Sequence, residues 1–234
     1  MVQLLFSIFL YLLGGVVVGV CLYPGLLLAH GLYQISGACA VETRLFLAAI
    51  GLGIGYFLYG FSLLFVTAAL HNILGLRLRP GRHPFMSVTS LKWVLASGMT
   101  QVVKSTFMDF LALTPFLTSY FRALGARLGH GVMINSKYVH DVSLLEIGDH
   151  TVIGGDAVIS CHVAEKDQLL LSPVKIGKKC MIGQRSIIMP GAVIGDGAVV
   201  GAQALVLKDM HIPAGETWVG IPAHRLEHPH AEAH

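Results

Sequence analysis

Ile176, Ile182, Ile188, Ile194, Val200 and Val206 stand six residues apart without a slip, and Ile212 continues the series. Gly177, Gly183, Gly195 and Gly201 directly follow four of them, and Cys180, Ser186, Ala192, Ala198 and Ala204 fill a small-residue position four places on. Upstream the same frame holds at Ile147-Gly148, Ile153-Gly154 and Ile159-Ser160, with Thr151 and Ala157 at the small position. A period of six is neither the 3.6 of a helix nor the 2 of a strand. It suits a β-solenoid of short strands on flat faces, with a turn at fixed intervals that needs glycine or a small residue. Three hexads complete one triangular coil and line its interior with aliphatic ladders. A β-sandwich of amphipathic strands does not hold a strict six-residue register over six repeats. The register breaks once, between Ile159 and Ile176, where Val163–Pro173 lacks the pattern. That stretch is expected to be a loop, and loops on rigid scaffolds commonly carry function.

The rest of the chain has a different character. Of 234 residues 54% are hydrophobic and 12% charged, which excludes disorder and an ordinary soluble domain. Between Met1 and Leu70 the only charged residues are Glu42 and Arg44. The uncharged runs at about 4–29 and 45–70 each exceed the roughly 20 residues that span a bilayer, so residues 1–83 read as two transmembrane helices and their loop. A cleaved signal peptide fits less well, because no basic segment precedes the first run. The glycines of both runs, Gly51-x-Gly53-x-Gly55 among them, read as small residues that let helices approach closely. Arg77, Arg79, Arg82 and Lys92 follow the second run, against Arg44 alone in the loop. The positive-inside rule then places both termini and the repeat domain in the cytoplasm, on a bacterial inner membrane. Residues 84–123 are apolar but carry Lys92, Lys104 and Asp109, and are expected as interfacial amphipathic helices on the lipid. Phe116, Leu117, Tyr120, Phe121 and Leu124 recur there at helical spacing after Pro115. A re-entrant hairpin is the other form this segment could take. Residues 124–226 form the β-helix and 227–234 a polar tail. A net charge of +3 gives no nucleic-acid surface. The four cysteines show neither CxxC pairs nor zinc spacing, and read as free thiols.

The stretch from Ile147 to His162, the interruption, the stretch from Ile176 to Ala202 and the closing Trp218-Val-Gly-Ile-Pro-Ala223 together resemble the hexapeptide-repeat acyltransferases, most nearly the galactoside and maltose O-acetyltransferases. The resemblance covers roughly residues 124–226. It implies a left-handed parallel β-helix, a homotrimer and coenzyme A thioesters as donors. A second resemblance, through the apolar segments, Thr114-Pro115 and Phe121–Gly129, is to the membrane-embedded C-terminal module of polylysine-type peptide synthetases. It implies aminoacyl units delivered as thioesters of carrier-protein phosphopantetheine.

Acyl transfer from a thioester needs a base for the attacking hydroxyl or amine, and histidine suits that role. Of twelve histidines, His224, His228, His230 and His234 lie in the polar C-terminal stretch, His30 and His71 flank the apolar runs, and His130 and His150 fall at turns. His162 stands where the repeat opens into its loop, the position of the catalytic histidine in the resembled enzymes, and is the candidate general base. The neighbouring Cys161 is an alternative nucleophile. His140 and Asp141 are candidate acceptor-binding residues; Asp141 could equally orient His162 or cap the start of the coil. Register with the resembled family implies donor contacts from Gln184, Ala202, Leu207 and Lys208, with Arg225 a possible phosphate contact. Met181 stands where the family commonly has tryptophan. Carbonic anhydrases of this fold hold zinc with three histidines, but His140, His150 and His162 lack that spacing, and no metal is expected. The reading is a membrane-anchored acyltransferase that uses His162 as base. A peptide- or isopeptide-forming membrane module fed by a carrier protein is the alternative, and a non-catalytic membrane scaffold the second.

Overall fold

The computed structural model describes residues 2–227 and divides into two units. One comprises residues up to Leu74 with Gly98–Phe107, the other Gly75–Ser97 with Met108 onward. Of the tail, residues 228–234, including His228, His230 and His234, lie outside the described residues.

The first unit is built on helices α1 (Val2–Ile35) and α2 (Val41–Ile73), joined through a short 3-10 turn at Ser36–Ala38. Both outrun the uncharged segments because nothing in the flanking sequence stops them, and Glu42 sits favourably in the first turn of α2. Each is long and apolar enough to cross a membrane. They cross where both are small: a Cβ at Gly25 would lie 2.7 Å from the Gly55 carbonyl oxygen, and one at Gly51 3.0 Å from the Ala29 Cα. Against α2 lies the end of helix α3 (Val88–Thr106) with Phe107. The Phe107 ring fills the space above Gly60 and meets Tyr56, Phe57 and Phe61 edge-on at 5.6 to 6.0 Å.

The second unit is a parallel β-helix. Ile182 pairs with Val200, Ile188 with Val206 and Ile194 with Ile212, so one coil takes eighteen residues, three hexads. Three ladders fill the interior: Ile134, Ile153, Ile182 and Val200; Ile159, Ile188 and Val206; Ile147, Ile176, Ile194 and Ile212. All of these side chains are buried, as are the small residues Thr151, Ala157, Cys180, Ser186, Ala192, Ala198 and Ala204 at the corners. Where a corner residue is polar its group is used: Thr151 Oγ1 donates to the Gly177 carbonyl at 2.7 Å and accepts the Cys180 N–H at 3.0 Å.

The glycines after the ladder residues do not serve the turn conformation. The left-handed residue of each corner comes two places later and is mostly not glycine: His150, Asp156, Lys179, Arg185, Gln203 and Asp209 all have φ between +53° and +59°. The ladder glycines instead allow the next coil to lie close. A Cβ at Gly183 would stand 2.4 Å from the backbone nitrogen of Ala202, and one at Gly148 2.6 Å from that of Lys178.

The break in register is a folded arm. His162–Glu165 and Gln168–Leu171 form an antiparallel hairpin, and Gly81–Pro84 adds a third strand to it. Leu169 and Leu171, on its central strand, are buried. Helix α4 (Pro115–Ala123) packs near the first strands, Arg127–Leu128 and Met133–Ile134. Its Leu117, Tyr120 and Phe121, with Leu124, are buried, while Phe116 stays 52% exposed. The apolar residues spaced along this helix are therefore mostly turned into the protein at the start of the coil.

If the glycine spacing sets the coil stack, Gly183→Ala should destabilise the protein by about 1–3 kcal/mol, the usual cost of overpacking. Gly53→Ala, in an open position on α2, should not. Thermal unfolding followed by circular dichroism compares the two.

Candidate active site

Val139 bridges Ile159 in parallel, and the His140 N–H donates to the Ile159 carbonyl at 2.8 Å. This lays His140 and Asp141 beside the end of the strand Val158–Ile159, from which Ser160, Cys161 and His162 lead into the arm. The backbone of Asp141 is left-handed, φ +53°, a conformation aspartate tolerates better than most residues. That turn points its carboxylate inward. Oδ2 stands 2.5 Å from Nδ1 of His162 and accepts the Cys161 N–H at 3.3 Å, while Oδ1 accepts the indole N–H of Trp93 at 2.8 Å. The Asp141 side chain is 1% exposed and that of His162 27%. Around His162, Ser160 Oγ lies 3.3 Å from Nδ1 and donates to the His162 carbonyl at 2.9 Å. The Trp93 and His140 rings meet His162 edge-on, with centroids at 5.0 and 6.0 Å.

Sequence reasoning left Asp141 between three roles. Both of its oxygens are engaged inside the protein, one against His162, and almost none of the side chain is exposed. His140, half-buried beside the pair, keeps a position from which an acceptor could be met. Trp93 was missed altogether: it stands 48 residues before Asp141 in an apolar segment, and no local pattern marks it.

Cys161 is fully buried, and burial, followed by the nearby Asp141 charge, pushes its thiol up to about 12. Near neutral pH it is a thiol, not the thiolate a nucleophile requires.

The four donor-contact candidates fall on two edges of the coil. Leu207 and Lys208 follow the strand Leu205–Val206 on the same edge as His162, while Gln184 and Ala202 follow Met181–Ile182 and Val199–Val200 on the neighbouring edge. Between them lies a face whose outward residues, Val158, Ile187 and Leu205, are all aliphatic. Lys208 donates to Glu165, which also binds Arg82 at 3.0 Å; the Lys208 bond first and the Arg82 bond second hold the Glu165 carboxyl below its usual range. Arg225 lies 3.5 Å from Glu216. A shallow groove on a different face is lined by Arg127, Glu146, Lys175, Lys178 and Asp196, and includes none of the candidate residues. Among the described residues no group of three or more His, Cys, Asp or Glu side chains is placed to hold a metal.

Residues 173–208 match the bacterial transferase hexapeptide (six repeats) family. Over 163 residues, 70% of this chain, the sequence is 28% identical to delta-poly-L-ornithine synthetase of Acinetobacter baumannii; the match spans 12% of that much longer relative. Among solved structures, the hexapeptide-repeat acetyltransferase of Vibrio cholerae O1 biovar eltor complexed with acetyl coenzyme A is similar, with TM-score 0.49 and 20% identity over 66% of this chain and 96% of that one. So is a maltose O-acetyltransferase from Clostridium difficile 630, with TM-score 0.47 and 24% identity over 64% of this chain and 94% of that one.

If Cys161 is inert, iodoacetamide at pH 8 should alkylate the exposed Cys39 readily and leave Cys161 unmodified in the folded protein, as peptide mass spectrometry can read. Alkylation of Cys161 at the rate of Cys39 would contradict the assignment.

Proposed function

We propose that this chain is a membrane-anchored acyltransferase that moves an acyl group from a pantetheine thioester to an amine or hydroxyl, with His162 as general base. The observation that carries the reading is the 2.5 Å approach of Asp141 Oδ2 to His162 Nδ1, at the point where the arm leaves a hexapeptide-repeat coil. A carboxylate on Nδ1 fixes the proton there and leaves Nε2 to accept one. Nε2 takes the acceptor's proton as its nitrogen or oxygen attacks the thioester carbonyl carbon. The tetrahedral oxyanion then collapses, the carbon–sulfur bond breaks, and the proton passes from Nε2 to the departing sulfur. The products are an amide or ester and a free thiol. Asp141 stabilises the imidazolium between the two transfers.

The left-handed winding, coenzyme A as donor and a homotrimer are carried over from the hexapeptide-repeat resemblance. The placement of the donor candidates supports the trimer. Gln184 and Ala202 stand on one edge and Leu207, Lys208 and His162 on another, so a donor touching all of them needs the edges of two copies. The aliphatic face between those edges, with Ile187 43% exposed, suits burial against a second subunit. Lys208 is already paired with Glu165, and a donor phosphate would compete with Glu165 for it. The apolar helices α1 and α2 support anchoring in lipid, and the four basic residues after α2 support a cytoplasmic coil in a bacterial inner membrane. The acceptor is then membrane-delivered.

The likeness to delta-poly-L-ornithine synthetase favours a second reading, in which the acceptor is an amine and the donor an aminoacyl thioester on a carrier protein. The same base and the same proton path serve both readings; only the donor differs.

His162→Ala should lower acyl transfer by roughly 10²–10⁴-fold, the usual worth of a positioned acid–base group, with the circular dichroism of the coil unchanged. Asp141→Asn, which keeps the side chain's shape and tolerates the left-handed backbone, should fall in the same range. Acetyl coenzyme A and an aminoacylated phosphopantetheinyl carrier, offered separately, distinguish the two donors. Full activity in both variants would overturn the assignment of His162 as base, and no transfer by the wild type with either donor would leave the non-catalytic scaffold.

A further inference from the structure

We propose that Trp93 is a positioning residue for the Asp141–His162 pair, holding the carboxylate by a hydrogen bond and the imidazole by ring contact. The proposal rests on the reading of His162 as base, but its geometry can be tested without that reading.

An orienting carboxylate is useful only if its own rotation is locked, and that lock is supplied by further hydrogen bonds. Asp141 has three hydrogen-bonding neighbours. His162 Nδ1 and the Cys161 N–H both meet Oδ2, and the indole N–H of Trp93, at 2.8 Å, alone meets Oδ1. Without the indole, the carboxylate could turn about its last torsion and exchange its oxygens. The side chain is 1% exposed, so bulk water is poorly placed to substitute. The same indole lies 5.0 Å from the His162 ring at 61°, the edge-on arrangement that favours aromatic contact. One side chain therefore touches both members of the pair.

Trp93 is itself held. It sits in the second turn of α3, where Ser90 Oγ donates to the Pro84 carbonyl at 2.8 Å and the Lys92 ammonium donates to the Gly75 carbonyl at 2.9 Å. Ser87 Oγ accepts the Ser90 N–H at 3.2 Å and caps the start of the helix. Pro84 belongs to the strand that joins the arm beginning at His162. The helix that presents Trp93 is thus pinned to the same sheet that presents the histidine.

The test uses the full chain in detergent micelles, labelled with ¹⁵N-histidine, as wild type and as Trp93→Phe. Phenylalanine keeps a ring against His162 and removes only the donor. The wild type should show a strongly deshielded proton on His162 Nδ1 and the nitrogen shifts of the Nδ1–H tautomer. Asp141→Asn assigns that signal by abolishing it. In Trp93→Phe the deshielded proton should disappear or broaden, and the nitrogen shifts should report a mixture of tautomers. With acetyl coenzyme A as donor, kcat should fall roughly tenfold, about the worth of one hydrogen bond to a charged group, while KM stays within about twofold. Trp93→Ala should lose both contacts and fall further; if it does not fold, the phenylalanine variant still decides. A Trp93→Phe spectrum identical to wild type would overturn the proposal. Full activity of His162→Ala with the spectral change present would overturn the base assignment instead and leave Trp93 as the residue that sets the pair.

Discussion

The close stacking of one coil on the next is the constraint on which the rest depends. On two of the three faces most ladder residues are followed by a position where the backbone of the adjacent coil passes within van der Waals reach, and glycine leaves room for it. At Gly183 a single added carbon would collide with the Ala202 nitrogen at 2.4 Å. Because successive coils are held that near, the ladders meet residue for residue at eighteen-residue separation, from Ile182 with Val200 to Ile194 with Ile212. Fully buried Ile and Val side chains then fill a narrow prism, and each contributes about the transfer energy of an aliphatic side chain. A scaffold this regular fixes the place of any residue that departs from it.

The candidate site gathers where the chain departs from that scaffold. The arm leaves after Ile159 and returns at Val174, in register again with Leu145. His162 is its first residue, Asp141 lies beside it one coil earlier, and Trp93 arrives from the helix before the coil. Each partner answers a need of the previous one. The imidazole needs a fixed tautomer, the carboxylate needs its oxygens satisfied in a dry site, and the indole supplies the donor that the coil itself does not. Cys161, next to His162 in sequence, donates its backbone N–H to Asp141, and burial holds its thiol protonated near neutral pH.

Much of this was legible in the sequence, and what was not has identifiable causes. The six-residue period announced the coil, its three faces and the single interruption, because burial of every sixth residue leaves a mark that no other fold imitates. His162 was marked by standing at the interruption. The left-handed corner residues were not legible: His150, Lys179 and Arg185 have no compositional signature for that conformation, and the conspicuous glycines answer a packing demand instead. The arm hid because Gly81–Pro84, one of its three strands, comes from more than eighty residues before its partner. Leu117, Tyr120 and Phe121 have the spacing of an amphipathic helix, and periodicity alone does not say what their apolar side meets.

The central claim is that a pantetheine thioester reacts at the Asp141–His162 pair. A structure determined in lipid nanodiscs with acetyl coenzyme A, or with a non-hydrolysable thioether analogue, tests this most directly. The sulfur should lie within hydrogen-bond reach of His162 Nε2 and the pantetheine should run along the edge that carries Leu207 and Lys208, with Gln184 and Ala202 contributed by a second copy. A donor seated instead on the charged face of Arg127, Lys175 and Lys178, away from His162, would contradict it.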